Sequence, residues 1–133
     1  MRNRTSRMAR AKAAHLEDRI RHDVPHLPAA EVPILAELVD RLVHAYQPEQ
    51  IYLFGSKARG DWGPNSDFDL LVVVPDDAPS ERHESTLAYK TLRGTGVAAD
   101  VLVMNRSTFD SRLHVVASLP ATVAREGRLL HVA

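Results

Sequence analysis

The feature that most constrains the fold is a pair of short apolar segments joined by a polar loop. The first, residues 51–54, ends at a Gly-Ser pair, and the second, residues 68–74, is apolar except at its second position. Short apolar runs bounded by turn residues are typical of buried strands. From Leu70 to Val74 the second run is apolar on both faces, which predicts cover on both sides of the sheet. In so short a chain, a second protein could supply one cover.

The Gly-Ser pair predicts a binding turn. Gly55 permits backbone angles that are closed to other residues and lets a bound group approach the main chain. Ser56 is a good helix N-cap, so a helix is expected to begin there and to point its unpaired N–H groups into the turn. A strand followed by such a turn and a helix can cradle a phosphate. An ordinary structural turn is the alternative.

Two carboxylates introduce the second strand. Asp67 and Asp69 face the same way, because side chains alternate along a strand. Unit charges about 4 Å apart repel by roughly 4 kcal/mol at an effective dielectric near 20, so a positive group is expected between them. The candidates are Lys57, Arg59 and Mg²⁺, which prefers oxygen ligands. A phosphate cradle and a carboxylate pair are the two halves of a metal-assisted phosphoryl-transfer site.

Ten residues separate Ser56 from Asp67, and this arrangement resembles the signature of the DNA polymerase β-like nucleotidyltransferase superfamily. The two motifs, GSKARG and SDFDLLVV, are similar to those of the minimal nucleotidyltransferases, a short prokaryotic branch often paired with a HEPN-domain toxin. The resemblance implies the nucleotidyltransferase fold. This is an α/β (α+β) arrangement with a mixed central sheet of about four strands packed with helices.

The resemblance also implies roles for individual residues. Asp67 and Asp69 would hold two Mg²⁺ ions. The family's third acid lies on a later strand and corresponds best to Asp100 in the apolar run 97–104, where it would complete the metal site and accept the acceptor's proton. The implied nucleotide-binding residues are Gly55, Ser56, Arg59 and Ser66.

The implied activity is transfer of AMP from ATP to a hydroxyl group, with release of pyrophosphate. The family association favours a tyrosine of a partner HEPN-domain toxin as the acceptor, which would make this chain an antitoxin acting by AMPylation. Two alternatives stay open. The chain could modify a small molecule such as an antibiotic, or it could be a non-catalytic module that binds a nucleotide or a partner.

Composition sets further bounds. Lys plus Arg and Asp plus Glu number 17 each, so no net charge attracts nucleic acid or a membrane surface. The absence of cysteine excludes disulfides and thiolate zinc sites. No apolar run reaches the roughly 20 residues of a membrane span. These features predict a cytoplasmic protein. The resemblance adds ATP as the substrate and is compatible with a hetero- or homo-oligomer.

The chain divides into a basic N-terminal extension, residues 1–28, and the nucleotidyltransferase domain, residues 29–133. The extension is expected to be frayed over residues 1–14, with RNA or partner contact as the alternative, and to include a short helix at 15–21. Trp62 is expected to pack on its own loop, or else to contact a base or partner. Further helices are predicted at 29–46, at 81–93 and from Ser107, with Phe109, Leu113 and Val116 along one face, and a last strand at 128–132.

Overall fold

The computed structural model describes residues 2–61, 63 and 66–133, with the backbone alone for residues 2–10 and 13. The role predicted for Trp62 therefore lies outside the described residues. Two 3-10 turns, Ala29–Glu31 and Ser80–His83, accompany the regular elements. In chain order these are α1 (Arg2–Asp23), α2 (Val32–Tyr46), β1 (Gln50–Phe54), α3 (Gly55–Arg59), β2 (Phe68–Val74), α4 (Thr86–Thr91), β3 (Ala99–Asn105), α5 (Arg106–Arg112), α6 (Leu119–Glu126) and β4 (Arg128–Val132).

Within the described part of the chain, the strands form one mixed sheet in the order β3-β2-β1-β4. Strand β1 runs antiparallel to both β2 and β4, whereas β2 and β3 are parallel. The parallel pair needs a crossover connection, which contains α4. The expected mixed sheet with helices is confirmed, and β2 has the predicted bounds.

One face of the sheet packs against α1, α2 and α4. The apolar stripe predicted for the second helix is buried, and Ile20 and Val24, at the end of α1 and just beyond it, join the same core. Residues 2–14, expected to be frayed, instead belong to a helix of 22 residues. The Arg, Ala, Met and Lys residues of this segment are good helix formers, and Ile20 anchors the helix to the core.

The opposite face packs against α5 and α6. Leu71 and Val73 of β2 are fully buried there beside Phe109 and Val123. Phe109 also stacks on Tyr52, with ring centroids 5.6 Å apart. The chain therefore covers both faces of β2 itself, and the suggestion that a second protein supplies one cover is wrong.

The helix predicted at 81–93 is divided into a 3-10 turn and α4. Glu84 between them has an extended backbone, with ψ of 139°, and its carbonyl accepts a hydrogen bond from the buried Tyr46 hydroxyl at 2.7 Å. This bond directs the Glu84 carbonyl toward Tyr46 and not along the axis of a continuous helix. The predicted strand 97–104 is observed two residues later at its start and one later at its end.

Helix α5 begins earlier than predicted, because Asn105 and not Ser107 is its N-cap. The Asn105 side chain accepts a hydrogen bond from the Thr108 N–H at 3.0 Å. The helix ends at Arg112, so Leu113 and Val116 lie beyond it and are 40% and 74% exposed. Of the three residues predicted to share an apolar face, only Phe109 is buried.

Strand β4 lies at the sheet edge and contacts α1. Its His131 is half-buried, and burial lowers the pKa of the imidazole, with a smaller lowering from the nearby charge of Arg19. No helix of the described residues is both long and apolar enough to cross a bilayer.

Candidate active site

The three predicted acids lie at one end of the sheet. Asp67 immediately precedes β2, Asp69 is its second residue, and Asp100 is the second residue of β3. Asp69 is paired in register with Asp100 on the parallel neighbour and with Phe54 on the antiparallel one. Because Phe54 is followed directly by Gly55, the register brings the Gly-Ser turn and the acids to the same edge.

The carboxylates are close enough to affect one another. Asp69 is half-buried, whereas Asp67 and Asp100 are exposed. Burial raises the pKa of Asp69, the charges of Asp100 and then Asp67 raise it further, and Arg59 lowers it by a smaller amount. The folded protein thus disfavours the ionised form of Asp69, as expected for a carboxylate held beside other carboxylates.

Gly55 fits closely against this group. Its φ of +71° lies in the left-handed region, and a Cβ at this position would overlap Oδ2 of Asp69. Both features require glycine. The turn therefore brings main-chain atoms directly against the acidic end of β2, as the sequence predicted.

Helix α3 begins at Gly55, with Phe54 as its N-cap, and not at Ser56. Ser56 therefore lies in the first turn of the helix, beside the same sheet end, and its carbonyl accepts the Gly60 N–H at 2.8 Å. Ser56 lacks the predicted capping role, because the φ and ψ of Gly55 already start the helix one residue earlier.

Lys57 and Arg59 extend toward different neighbours. The side chain of Arg59 contacts Asp61 at 3.1 Å and Glu126 of α6 at 3.8 Å, and its charge also acts on Asp69. Lys57 is buried and contacts Glu31, at the end of the Ala29–Glu31 turn, at 2.5 Å. The charge of Arg59 offsets part of the raised pKa of Asp69.

Ser66 closes the loop that precedes the acids. Its hydroxyl accepts a hydrogen bond from the Gly63 N–H at 2.8 Å, and its own N–H donates to the Gly63 carbonyl at 3.1 Å. Ser66 also lines a cavity of about 450 Å³ that includes Lys57 and Phe68. The three aspartates are not among the residues that line that cavity, and the hydrogen bonds of Ser66 to Gly63 brace the loop.

The donor set suits a hard divalent cation, because carboxylate oxygens are the preferred ligands of Mg²⁺. The pKa of Asp69 is raised first by burial and then by the charges of Asp100 and Asp67, and such a cation would relieve the repulsion between these charges. Among the described residues, however, no three carboxylate or histidine side chains are gathered around a common point at binding distance. The three aspartates therefore suit a metal ion by their chemistry and by their positions on the sheet. To bind one, their side chains would have to move closer to a common point.

Two contacts of the turn had no signal in the sequence. His26, between α1 and α2, and Glu31 both contact Lys57. They precede it by 31 and 26 residues, and neither belongs to a recognisable motif. Only the fold brings them together.

A family model described as a nucleotidyltransferase domain matches residues 35–125. The chain belongs to this nucleotidyltransferase family. The match includes the Gly-Ser turn and all three acids, and it makes the protein a nucleotidyltransferase, as the motif spacing predicted.

One sequence relative agrees with this assignment. The nucleotidyltransferase is 32% identical over 103 residues to a Methanocaldococcus jannaschii protein that is provisionally named a protein adenylyltransferase, covering 76% of this chain and 98% of the relative. It is also similar to a solved structure of a provisionally named nucleotidyltransferase from Sulfolobus solfataricus, at 23% identity and TM-score 0.45, over 75% and 79% of the two chains. A toxin-antitoxin structure solved with AMP-PNP is 25% identical with TM-score 0.48, over 72% of each chain.

Proposed function

We propose that this nucleotidyltransferase transfers AMP from ATP to a tyrosine hydroxyl of a partner HEPN-domain protein, and that it acts as an antitoxin by this modification. One observation carries the reaction: Asp69 and Asp100 are paired in register on adjacent parallel strands, directly beside the Gly-Ser turn. Carboxylates next to a phosphate-binding turn are the arrangement that nucleotidyl transfer requires.

The substrate and acceptor classes rest on similarity. The Methanocaldococcus jannaschii relative, named as a protein adenylyltransferase, supports AMP as the transferred group and a protein as the acceptor. The resemblance of the GSKARG and SDFDLLVV motifs to minimal nucleotidyltransferases supports a HEPN-domain partner. Modification of a small molecule, or binding without catalysis, are the alternatives that the experiment below separates.

In the proposed reaction, the acceptor oxygen forms a bond to the α-phosphorus as the bond between the α-phosphorus and its bridging oxygen to the β-phosphate breaks. Asp100 accepts the proton of the acceptor hydroxyl, and pyrophosphate leaves. Gly55 and Ser56 hold the terminal phosphates through the backbone N–H groups and the hydroxyl. Arg59 orients the triphosphate from the side of α6, and Ser66 braces the loop that carries Asp67.

Asp67, Asp69 and Asp100 are the residues that would hold Mg²⁺. Two such ions would neutralise charge on the triphosphate and stabilise the attacking and leaving oxygens of an in-line displacement. The chain's own contribution is to hold three carboxylates on one sheet edge against their mutual repulsion.

The test uses the full chain with Mg²⁺ and ATP labelled either on the α-phosphate or on the γ-phosphate. Incubation is done with and without the product of a neighbouring gene that encodes a HEPN-domain protein, and intact mass is measured. We expect the α-label and one AMP mass per transfer on the partner, with the γ-label released as pyrophosphate. Peptide mapping then identifies the modified side chain.

The Asp67→Ala/Asp69→Ala variant should lose transfer. A matched control, Asp40→Ala/Asp77→Ala, removes two exposed acids elsewhere and should retain it. Label on an aminoglycoside and not on the partner would favour the small-molecule alternative. ATP binding without transfer to any acceptor would leave a non-catalytic module.

A further inference from the structure

Helix α3, which carries the Gly-Ser turn, is only five residues long and has little stability of its own. Its central residue is held by contacts from outside the helix. The Lys57 ammonium group is 2.5 Å from a Glu31 carboxylate oxygen and 5.0 Å from the Phe68 ring centre. The two charged side chains are only 7% and 23% exposed, so the contact is well shielded from water.

The backbone of the same residue is held by a second contact. Nε2 of His26 lies 2.8 Å from the Lys57 carbonyl oxygen, and it must donate, because a carbonyl can only accept. The His26 ring also lies against Gly60, where its atoms would be 3.2 to 3.5 Å from an added Cβ. The ammonium group and the backbone carbonyl of Lys57 therefore both contact the segment between α1 and α2.

We propose that Glu31 and His26 are positioning residues for the nucleotide-binding turn, acting through Lys57. Lys57 is two residues from Gly55 and one from Ser56, so the two tethers fix the direction of the N–H groups in the turn. They also fix the close approach of Gly55 to Asp69. The inference rests on the proposed function, because it takes Gly55 and Ser56 as the groups that contact the triphosphate.

Kinetics and binding of the Glu31→Gln variant test this inference. The substitution keeps the size of the side chain and removes the charge that pairs with Lys57. Because the turn binds phosphates in the ground state and in the transition state alike, we expect KM for ATP to rise about tenfold while kcat changes by less than about threefold. The equilibrium Kd for ATP should weaken by a similar factor. The matched control is Glu37→Gln in α2, which removes an exposed contact to Arg41 and should leave KM unchanged.

A second variant separates positioning from stability. Glu31→Met/Lys57→Met removes both charges, and replacing a buried ion pair by apolar residues of similar volume is often neutral for folding. We expect this variant to recover the wild-type melting temperature and to keep the raised KM. Recovery of wild-type KM together with stability would overturn the inference, because the pair would then serve the fold alone.

The backbone tether is tested with His26→Phe, which keeps a ring beside Gly60 and removes the donor. In the absence of nucleotide, hydrogen exchange at the amides of residues 56–60 should be faster in this variant and in Glu31→Gln than in the wild type. Wild-type AMP transfer combined with unchanged exchange and unchanged ATP affinity in both variants would refute the inference alone. Absence of AMP transfer and of ATP binding in the wild type would refute the proposed function and this inference with it.

Discussion

Substituting Gly55 by alanine tests the closest contact of the site. The residue has a φ of +71°, and an added Cβ would overlap the Asp69 carboxylate, with the Asp69 Cγ and Cβ atoms at only 3.1 and 3.3 Å. The new methyl group is therefore expected to destabilise the fold for two reasons. The backbone is strained, and the side chain of Asp69 has to move.

The magnitude follows from these two contributions. A non-glycine residue in the left-handed region costs about 1–2 kcal/mol, and an off-rotamer side chain costs about 0.5–1.5 kcal/mol. Together they should lower the free energy of unfolding by about 2–3 kcal/mol. At roughly 3–4 °C per kcal/mol for a domain of this size, Tm should fall by about 6–12 °C. A reacting group displaced by about 1 Å can lower the rate about 100-fold.

Gly94→Ala is the matched control. Gly94 has a φ of +87°, but among the described residues no atom beyond its two chain neighbours lies within 4 Å of its added Cβ. Its alanine variant should therefore lose only about 1–2 kcal/mol and should retain full AMP transfer. Thermal unfolding and transfer of α-label from ATP measure the two effects separately. Equal losses of Tm in the two variants, with transfer intact in Gly55→Ala, would refute the role assigned to the contact between Gly55 and Asp69.

Three further predictions follow from burial and charge. Asp69→Asn should stabilise the metal-free protein at neutral pH. The pKa of Asp69 is higher in the folded than in the unfolded state, so the wild type loses stability as the pH rises above 3.8 and this carboxyl ionises. An unchanged Tm at pH 8 would contradict this. His131→Gln should lose less stability than the wild type on acidification below pH 6.5. The lowered pKa of His131 opposes protonation of this residue in the folded state, so acid favours unfolding of the wild type. Parallel curves of Tm against pH for the two proteins would exclude this contribution. Phe109→Ala should cost about 3–5 kcal/mol, whereas the exposed Leu113→Ala control should stay within about 0.5 kcal/mol; equal losses would show that Phe109 is not a core residue.

Predictions of the fold and the site from the sequence are most accurate where several local signals agree. Strand β2 has the bounds expected from its apolar run, and the predicted turn places Gly55 beside Asp69. Asp100 lies on the later strand where the family resemblance put the third acid, and it is in register with Asp69. These features depend on local patterns and on a family spacing, and both are readable in one chain.

The errors occur where distant residues decide the local structure. A hydrogen bond from Tyr46 holds the Glu84 carbonyl and divides a predicted helix, and Asn105 caps α5 before the expected Ser107. Lys57 was a candidate for neutralising the acids, and its pairing with Glu31, which lies 26 residues earlier in the chain, was not predicted. Single-sequence patterns carry no information on such pairings, which form only after the helices have packed on the sheet.

The acidic cluster is held in place by the stability of the surrounding fold. Ionised Asp69 is unfavourable in the folded state because it is half-buried beside Asp100 and Asp67, and Arg59 offsets this only in part. The strand that carries it is nevertheless fixed, because its residues from Leu70 to Val74 are fully buried between two layers of helices. A cation that binds only the folded cluster would relieve the repulsion and stabilise the protein by mass action. Addition of Mg²⁺ should therefore raise Tm in the wild type more than in Asp69→Asn, and equal shifts in the two proteins would argue against metal binding at Asp69.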